Sequence, residues 1–291
     1  MTSPFPHRYG AEDRLGAVNE IGEAQVRDAG ALIRSGRRYG LAQTLDAASP
    51  ARMWRYWRHS LILDRVLPGR FRGPNGVASL EESVSGALHS GTHLDGLAHV
   101  GIRDHAYNGV RYDAIVGPDG LTELGMEGLP PLVTRGVLLD IAALRRVPML
   151  GDSELITAAD LEAAAARAGV EVRAGDVLVL HTGWGSLWAQ DPGRYATTEP
   201  GIGIEAAIWC TDRRVAVIGA DTWAVEAVPG DPPDEVFPVH QHCLARYGCY
   251  LLENVRTQEL AADGVTEFCC VIAPLRLRGA SASMVNPVAV V

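Results

Sequence analysis

Residues 89–99 read His-Ser-Gly-Thr-His-Leu-Asp-Gly-Leu-Ala-His. This stretch holds three of the nine histidines of the chain together with one carboxylate. At 100° per residue, a helix would place His89 and His93 on nearly the opposite face from Asp95 and His99. In an extended chain all four side chains share one face, and the two glycines of the stretch also disfavour a helix. The pattern therefore predicts an extended segment with its donor groups on one side.

Four donors can reach one metal ion only if this segment curls. A fully extended run over 89–99 would span roughly 33 Å at about 3.3 Å per residue. Metal–nitrogen and metal–oxygen bonds are only about 2 Å long. Gly91 and Gly96 are the positions at which the chain could bend. Alternatively, His99 is not a ligand but carries a proton over the site, and this is the arrangement that we favour.

Outside this segment, helical and extended patterns alternate along the chain. Buried strands are predicted at 136–141, 176–184, 215–221, 249–255 and 267–277, and helices at 23–34, 157–167, 204–210 and 237–247. The Pro/Gly-rich residues 66–77 predict a loop. With no internal repeat and no clear linker, the sequence predicts an N-terminal arm with a short helix over 1–40 and one α/β domain over 41–291.

Composition excludes several classes of function. The chain has 291 residues, a formal net charge of −9 and scattered arginines, which argues against nucleic acid as a partner. It contains no lysine, which excludes Schiff-base catalysis and a P-loop lysine. No apolar stretch approaches the length of a membrane span. The five cysteines form no CxxC pair, so we expect a cytoplasmic protein with no membrane partner.

The histidine-rich motif resembles the His-x-Gly-Thr-His-x-Asp-x-x-x-His signature of the cyclase family of metal-dependent hydrolases. This family includes bacterial kynurenine formamidase and isatin hydrolase. Residues 218–229 and 240–255 resemble it too, so that the similarity extends from about residue 40 to the end of the chain. The resemblance implies an α/β fold of the swivelling β/β/α type, with a mixed sheet or partly closed barrel flanked by helices. It also implies a homodimer or homotetramer with one or two divalent ions, zinc or manganese, per chain.

The same resemblance assigns roles to individual residues. It implies that His89, His93 and Asp95 bind metal and that His99 is the catalytic histidine. A later histidine and Glu253 would complete the metal site. Both His240 and His242 precede Glu253, and aligning the helix around Leu244 favours His240. A small flat substrate could lie against Trp54, Trp57 and Trp223, although the segment 53–57 could equally be a packed strand or helix edge.

The implied activity is hydrolysis of an amide-type C–N bond in a small arylformamide, cyclic imide or lactam. The chain shows no serine or cysteine nucleophile motif, so metal-bound hydroxide is the expected attacking group. A lactone could be opened by the same site. A non-haem Fe(II) oxygenase using His93, Asp95 and His240 is a further alternative, but it would not need His89 or His99. The last alternative is a non-catalytic metal-binding protein. Structural metal sites usually recruit cysteines, and none is near this motif.

Overall fold

A computed structural model describes residues 4–52, 54–62, 73–230 and 233–291. Residues 66–72 of the predicted loop over 66–77 lie outside the described residues, and so does Met53. The strands are β1 (Arg38–Gly40), β2 (Trp57–Ile62), β3 (Glu81–Gly86), β4 (His93–Asp95), β5 (Val116–Gly117), β6 (Gly120–Leu121), β7 (Leu132–Asp140), β8 (Leu155–Ile156), β9 (Val177–His181), β10 (Gly201–Ile202), β11 (Val217–Ala220), β12 (Tyr250–Glu253), β13 (Glu267–Ile272), β14 (Ala282–Met284) and β15 (Val288–Val290).

The α-helices are short and are distributed along the whole chain. They are α1 (Glu23–Gly30), α2 (Tyr112–Ile115), α3 (Ile141–Arg145), α4 (Ala158–Ala168), α5 (Leu187–Gln190), α6 (Pro192–Tyr195), α7 (Ile204–Asp212), α8 (Pro238–His240) and α9 (Gln258–Ala262). Helix α8 continues directly into a π-helix, Gln241–Tyr247. In the described part of the chain, no helix is long and apolar enough to cross a membrane.

Nine strands form one mixed sheet in the order β1-β15-β13-β7-β9-β11-β12-β4-β14. Its centre, β7-β9-β11-β12, is parallel, and the strands on either side pair antiparallel. The central strands are almost continuously apolar and buried, because helices cover both faces of a parallel sheet. The predicted single α/β domain with a mixed sheet flanked by helices is confirmed.

Local signals explain where the predicted helices begin and end. Helix α4 starts after Thr157, whose hydroxyl accepts the backbone N–H of Asp160 while the Asp160 carboxylate accepts the backbone N–H of Thr157. It ends at Gly169, which has a φ of +67°. Helix α1 is shorter than predicted and stops at Gly30, since glycine is a poor interior helix residue.

The N-terminal arm ends in β1, the strand at one edge of the nine-stranded sheet. Strand β1 pairs antiparallel with β15, and the predicted boundary at residue 40 falls at the last residue of β1. Further upstream, the backbone N–H of Ala17 donates to the carbonyl of Gly248 at 2.8 Å. A Cβ on Gly16 would come within 2.4 Å of the same carbonyl, so glycine permits this close packing of the arm against the end of the π-helix.

The predicted extended run over 89–99 is wrong in its length. Only His93–Asp95 forms a strand, whereas His89 and His99 lie on turns on either side of it. Gly91 has a φ of +65°, and Gly96 lies where a Cβ would come within 2.7 Å of the carbonyl oxygen of Ser281. The chain thus bends at the two glycines that were expected to allow it, and it brings the ends of the motif together.

Candidate metal centre

Strands β4 and β12 place the first pair of donor groups. The two strands run antiparallel, and His93 lies directly opposite Glu253. Side chains of directly opposed residues point to the same face of a sheet. The Nε2 atom of His93 lies 3.0 Å from Oε2 of Glu253. The Nδ1 atom of His93 lies 2.8 Å from the carbonyl oxygen of Gly91, to which it donates, so that Nε2 is left facing the carboxylate.

Asp95 lies at the centre of four histidines. Its Oδ1 atom is 3.5 Å from Nε2 of His89 and 3.4 Å from Nε2 of His93. Its Oδ2 atom is 3.8 Å from Nε2 of His99 and 3.6 Å from Nε2 of His240. Asp95 therefore connects the two ends of the 89–99 motif with the later helix.

The structure brings His240, and not His242, to this cluster. His240 Nε2 is 3.2 Å from Oε1 of Glu253. His242 points away, and its Nε2 pairs with the hydroxyl of Thr211 at 2.8 Å. The two side chains diverge because they are separated by two residues in a helix, about 200° around its axis.

Glu226 orients His240 from behind. Its Oε1 atom accepts hydrogen bonds from Nδ1 of the imidazole and from the backbone N–H of His240. Its Oε2 atom accepts the backbone N–H of Val239 at 3.2 Å. Nε2 of His240 is thereby directed towards Asp95 and Glu253. A buried carboxylate behind a ligating histidine is the usual way of setting both its tautomer and its direction.

Burial and neighbouring charges shift the pKa values of the cluster in opposite directions. Burial lowers the pKa of His89 to about 3 and also lowers the pKa of His99. Burial opposes protonation of His93 and His240 as well, but adjacent carboxylates outweigh it and raise both pKa values to about 10. Burial alone would raise the pKa of Asp95, but the surrounding histidines hold it well below its usual range. The centre therefore has a negative potential that favours a cation.

The unpaired atoms of the cluster fit a divalent metal ion. The Nε2 atoms of His89 and His93 and both carboxylate oxygens of Asp95 are buried and have no hydrogen-bond partner. Leaving such atoms unpaired is costly unless a ligand satisfies them. The donor separations of 3.0–3.8 Å bracket the ~3.4 Å edge expected of a tetrahedron with bonds of about 2.1 Å. In the part of the chain that the structure describes, two groups of donor atoms lie within 4.8 Å of one another, His89-Asp95-His99 and His93-Asp95-Glu253.

The tryptophans expected to contact substrate lie in different places. Trp223 is 6% exposed, and Phe237 packs edge-on against it with ring centroids 6.4 Å apart. Phe237 in turn lies 4.9 Å from the ring of His240. Trp57 is half-buried at the start of β2, and Trp54 is 76% exposed. Trp223 thus packs on a ring that lies next to His240, and contacts of all three tryptophans with substrate stay a prediction.

Comparison with known proteins shows the family to which the chain belongs. The Cyclase family model matches residues 39–227, more than half of the chain. The chain belongs to the cyclase family. A crystal structure of another cyclase is 31% identical, with a TM-score of 0.88, and the match covers 98% of this chain and 96% of that one. The expected family resemblance is therefore confirmed. No curated protein matches this chain.

More distant structures share the fold of this chain. Isatin hydrolase A from Ralstonia solanacearum is 22% identical, with a TM-score of 0.61, over 87% of this chain and 91% of that one. An isatin hydrolase bound to the product analogue thioisatinate is 20% identical, with a TM-score of 0.64, over 93% and 99%. These similarities place the nine-stranded sheet in a known architecture.

Two further residues that adjoin the candidate centre, Glu226 and Arg52, were not predicted from the sequence. Glu226 lies inside the motif at 218–229, but nothing in its spacing distinguishes a carboxylate behind a histidine from a surface carboxylate. Arg52 stacks on Trp223, with its Cζ atom 4.0 Å from the ring centroid. Arg55, within the segment 53–57, donates from Nη1 to the carbonyl oxygen of His89 at 3.1 Å. These contacts bridge distant parts of the chain and leave no local pattern.

Proposed function

We propose that the protein is a metal-dependent hydrolase that cleaves an amide-type C–N bond in a small arylformamide, cyclic imide or lactam. The observation that carries this proposal is the set of unpaired Nε2 and carboxylate oxygen atoms around Asp95. These atoms belong to two donor groups that share Asp95, and a bound cation would satisfy them. Membership of the cyclase family, and the isatin hydrolases among the proteins of similar fold, support the choice of an amide-type bond.

The ion would be held by His89, His93, Asp95, His240 and Glu253. It would lower the pKa of a water molecule and polarise the scissile carbonyl. Imidazole and carboxylate ligands suit zinc and manganese alike. Asp95 belongs to both donor groups, so the arrangement is compatible with one ion or with two.

His99 is suited to move the proton. It is more exposed than the other histidines of the cluster, with 21% of its side chain accessible, and its Nε2 is 3.8 Å from Oδ2 of Asp95. Burial lowers its pKa, so the imidazole is neutral at neutral pH and accepts a proton at Nε2. We assign to His99 the transfer of a proton from the attacking water to the leaving nitrogen as the C–N bond breaks and the new C–O bond forms.

We also propose that the protein assembles as a homodimer or homotetramer in the cytoplasm. The two-stranded β2–β3 sheet supports the assembly, because it exposes apolar side chains such as Leu61 at 48% and Val84 at 56%. Apolar side chains clustered on one exposed element commonly mark an interaction surface. Light scattering coupled to size-exclusion chromatography measures the mass directly, and a monomer would contradict the proposal.

The decisive experiment is anaerobic turnover on a panel of arylformamides, cyclic imides, lactams and lactones. Acid release is followed before chelation, after chelation and after restoring zinc or manganese. Hydrolysis that requires the metal but not oxygen supports the proposal, and a clear preference for lactones would shift it to C–O bonds. Activity that appears only with ferrous iron in air would support the oxygenase alternative. That alternative does not use Glu253, although its carboxylate lies 3.0 Å from His93.

A further inference from the structure

Arg52 lies on an aromatic wall next to the metal centre. Its guanidinium carbon is 4.0 Å from the ring centroid of Trp223 and 5.9 Å from that of Phe237. Phe237 separates it from His240, whose ring centroid is 4.9 Å from that of Phe237. A cavity of about 180 Å³ is lined by Arg52, Phe237 and Glu226, among others. Arg52 thus lies one aromatic side chain away from a proposed metal ligand.

This wall carries hydrogen-bond donors that have no acceptor. Nη1 of Arg52 and Nε1 of Trp223 are both buried without a partner among the described residues. Arg52 also forms no ion pair with any residue that the structure describes. Burial lowers the pKa of Arg52, but a guanidinium remains protonated in proteins. A desolvated charge without a counter-ion is costly, so this position favours an anionic ligand.

Glu226 and Glu235 line the cavity beside Arg52, but within the described residues neither forms an ion pair with it. Glu226 is occupied by hydrogen bonds from His240 and Val239. Glu199 is fully buried, and burial raises its pKa well above the usual range, which disfavours the charged form. Its Oε2 atom accepts the backbone N–H of Trp223, while Oε1 is buried without a partner. The wall therefore offers a positive charge on Arg52 and a carboxyl oxygen of Glu199 without a hydrogen-bond partner.

We propose that Arg52 binds a carboxylate of the substrate, at a distance from the bond that is cleaved. The substrate class is then a small amide, imide or lactam that carries a free carboxylate. This inference rests on the proposed hydrolase function. Stacking on the indole holds the guanidinium plane in place, which leaves its edge available for paired hydrogen bonds to a carboxylate.

The test compares two substrates that differ only in charge, 3-formamidobenzoate and 3-formamidobenzamide, on the metal-loaded protein. For Arg52→Met we expect kcat/KM to fall roughly 10- to 100-fold with the acid and to stay within about 3-fold with the amide. Arg52→Lys should recover part of the loss, because it keeps the charge without the planar fork. The exposed Arg167→Met on α4 is the matched control and should leave both substrates unaffected.

Equal losses with both substrates, or no loss with the acid, would overturn the role of Arg52. If the wild-type protein hydrolyses neither compound, binding decides the question independently of the proposed reaction. Calorimetry with 3-aminobenzoate and 3-aminobenzamide would then compare wild-type and Arg52→Met proteins at the same metal loading. Tighter binding of the acid that disappears with Arg52 supports the inference, and acid binding that does not depend on Arg52 overturns it.

Discussion

Glu226 holds His240 at two points, because its carboxylate accepts both the imidazole Nδ1 proton and the backbone N–H of the same residue. The ring and the backbone at the start of the π-helix are therefore oriented together. A displacement of Glu226 would rotate Nε2 of His240 away from Asp95 and Glu253.

We accordingly expect Glu226→Gln to weaken metal binding by about 10- to 100-fold without unfolding the protein. The amide oxygen of glutamine still accepts a hydrogen bond, but the negative charge behind the imidazole is lost. Competition with a chromophoric chelator measures the affinity. The control is Glu235→Gln, because Glu235 is exposed and lines the cavity that Glu226 and Arg52 also line. An unchanged affinity for Glu226→Gln would show that His240 needs no such support.

Removal of His99 separates catalysis from metal binding. His99→Ala should retain the bound metal while kcat falls by roughly 10²- to 10⁴-fold, the usual contribution of a proton-transferring group. His93→Ala should instead lose the metal, because His93 is fully buried between Asp95 and Glu253. Elemental analysis of both purified variants beside their turnover measures the difference. Metal loss in His99→Ala would identify His99 as a ligand.

The close packing around Gly91 can be tested by comparison with Gly36, which also has a positive φ but has open space where a Cβ would lie. Gly36 has a φ of +75° and nothing near its absent Cβ, so Gly36→Ala should cost about 1–2 kcal/mol of the free energy of unfolding. A Cβ on Gly91 would come within 2.6 Å of the Leu45 side chain, which adds about 1–3 kcal/mol of overpacking. Urea unfolding at saturating metal measures both. Leu45→Ala should relieve part of the cost in Gly91→Ala, and equal costs for the two alanine variants would contradict the packing argument.

Stability should depend on pH through His181 and Asp221. Burial would lower the pKa of His181, but its hydrogen bond and charge interaction with Asp221 outweigh burial and raise it. The folded state thus binds this proton more tightly than the unfolded chain, so the stabilisation is fully present below pH ~6.5 and is lost as pH rises through the folded pKa. The stability difference between wild type and His181→Asn should therefore shrink from pH 5.5 to pH 9. The exposed His59→Asn variant on β2 is the control, and a difference that does not change with pH would exclude the linkage.

The sequence predicted the elements whose causes are local. The strand within β7 and the helix after Thr157 follow from apolar patterns and capping residues that lie within a few positions of each other. The 89–99 motif likewise predicted donor residues that lie around Asp95 in the structure. Its backbone was less predictable, because the side-chain alternation of three strand residues, His93–Asp95, was extended over a segment that turns at Gly91 and Gly96.

Other features depend on contacts between distant parts of the chain. Glu253 lies opposite His93 only because β12 pairs with β4, and local sequence does not encode that pairing. The resemblance favoured His240 over His242, but only the packing of the helix shows that the His240 side chain faces the centre. Arg52 and Glu226 act through partners that are many positions away. Such contacts are set by packing of the whole domain, which a local pattern does not contain.

The position of β4 divides the metal centre into a stiff part and an adaptable part. Strand β4 is hydrogen-bonded to β12 on one side and to β14 on the other, so His93 and Asp95 cannot slide without breaking two ladders. His89 and His99 lie on turns outside those ladders, with their rings 4.0 Å apart and partly exposed. We therefore expect the centre to adjust to ligands of different size on the His89–His99 side, while the two ladders hold the geometry of the His93–Asp95 side.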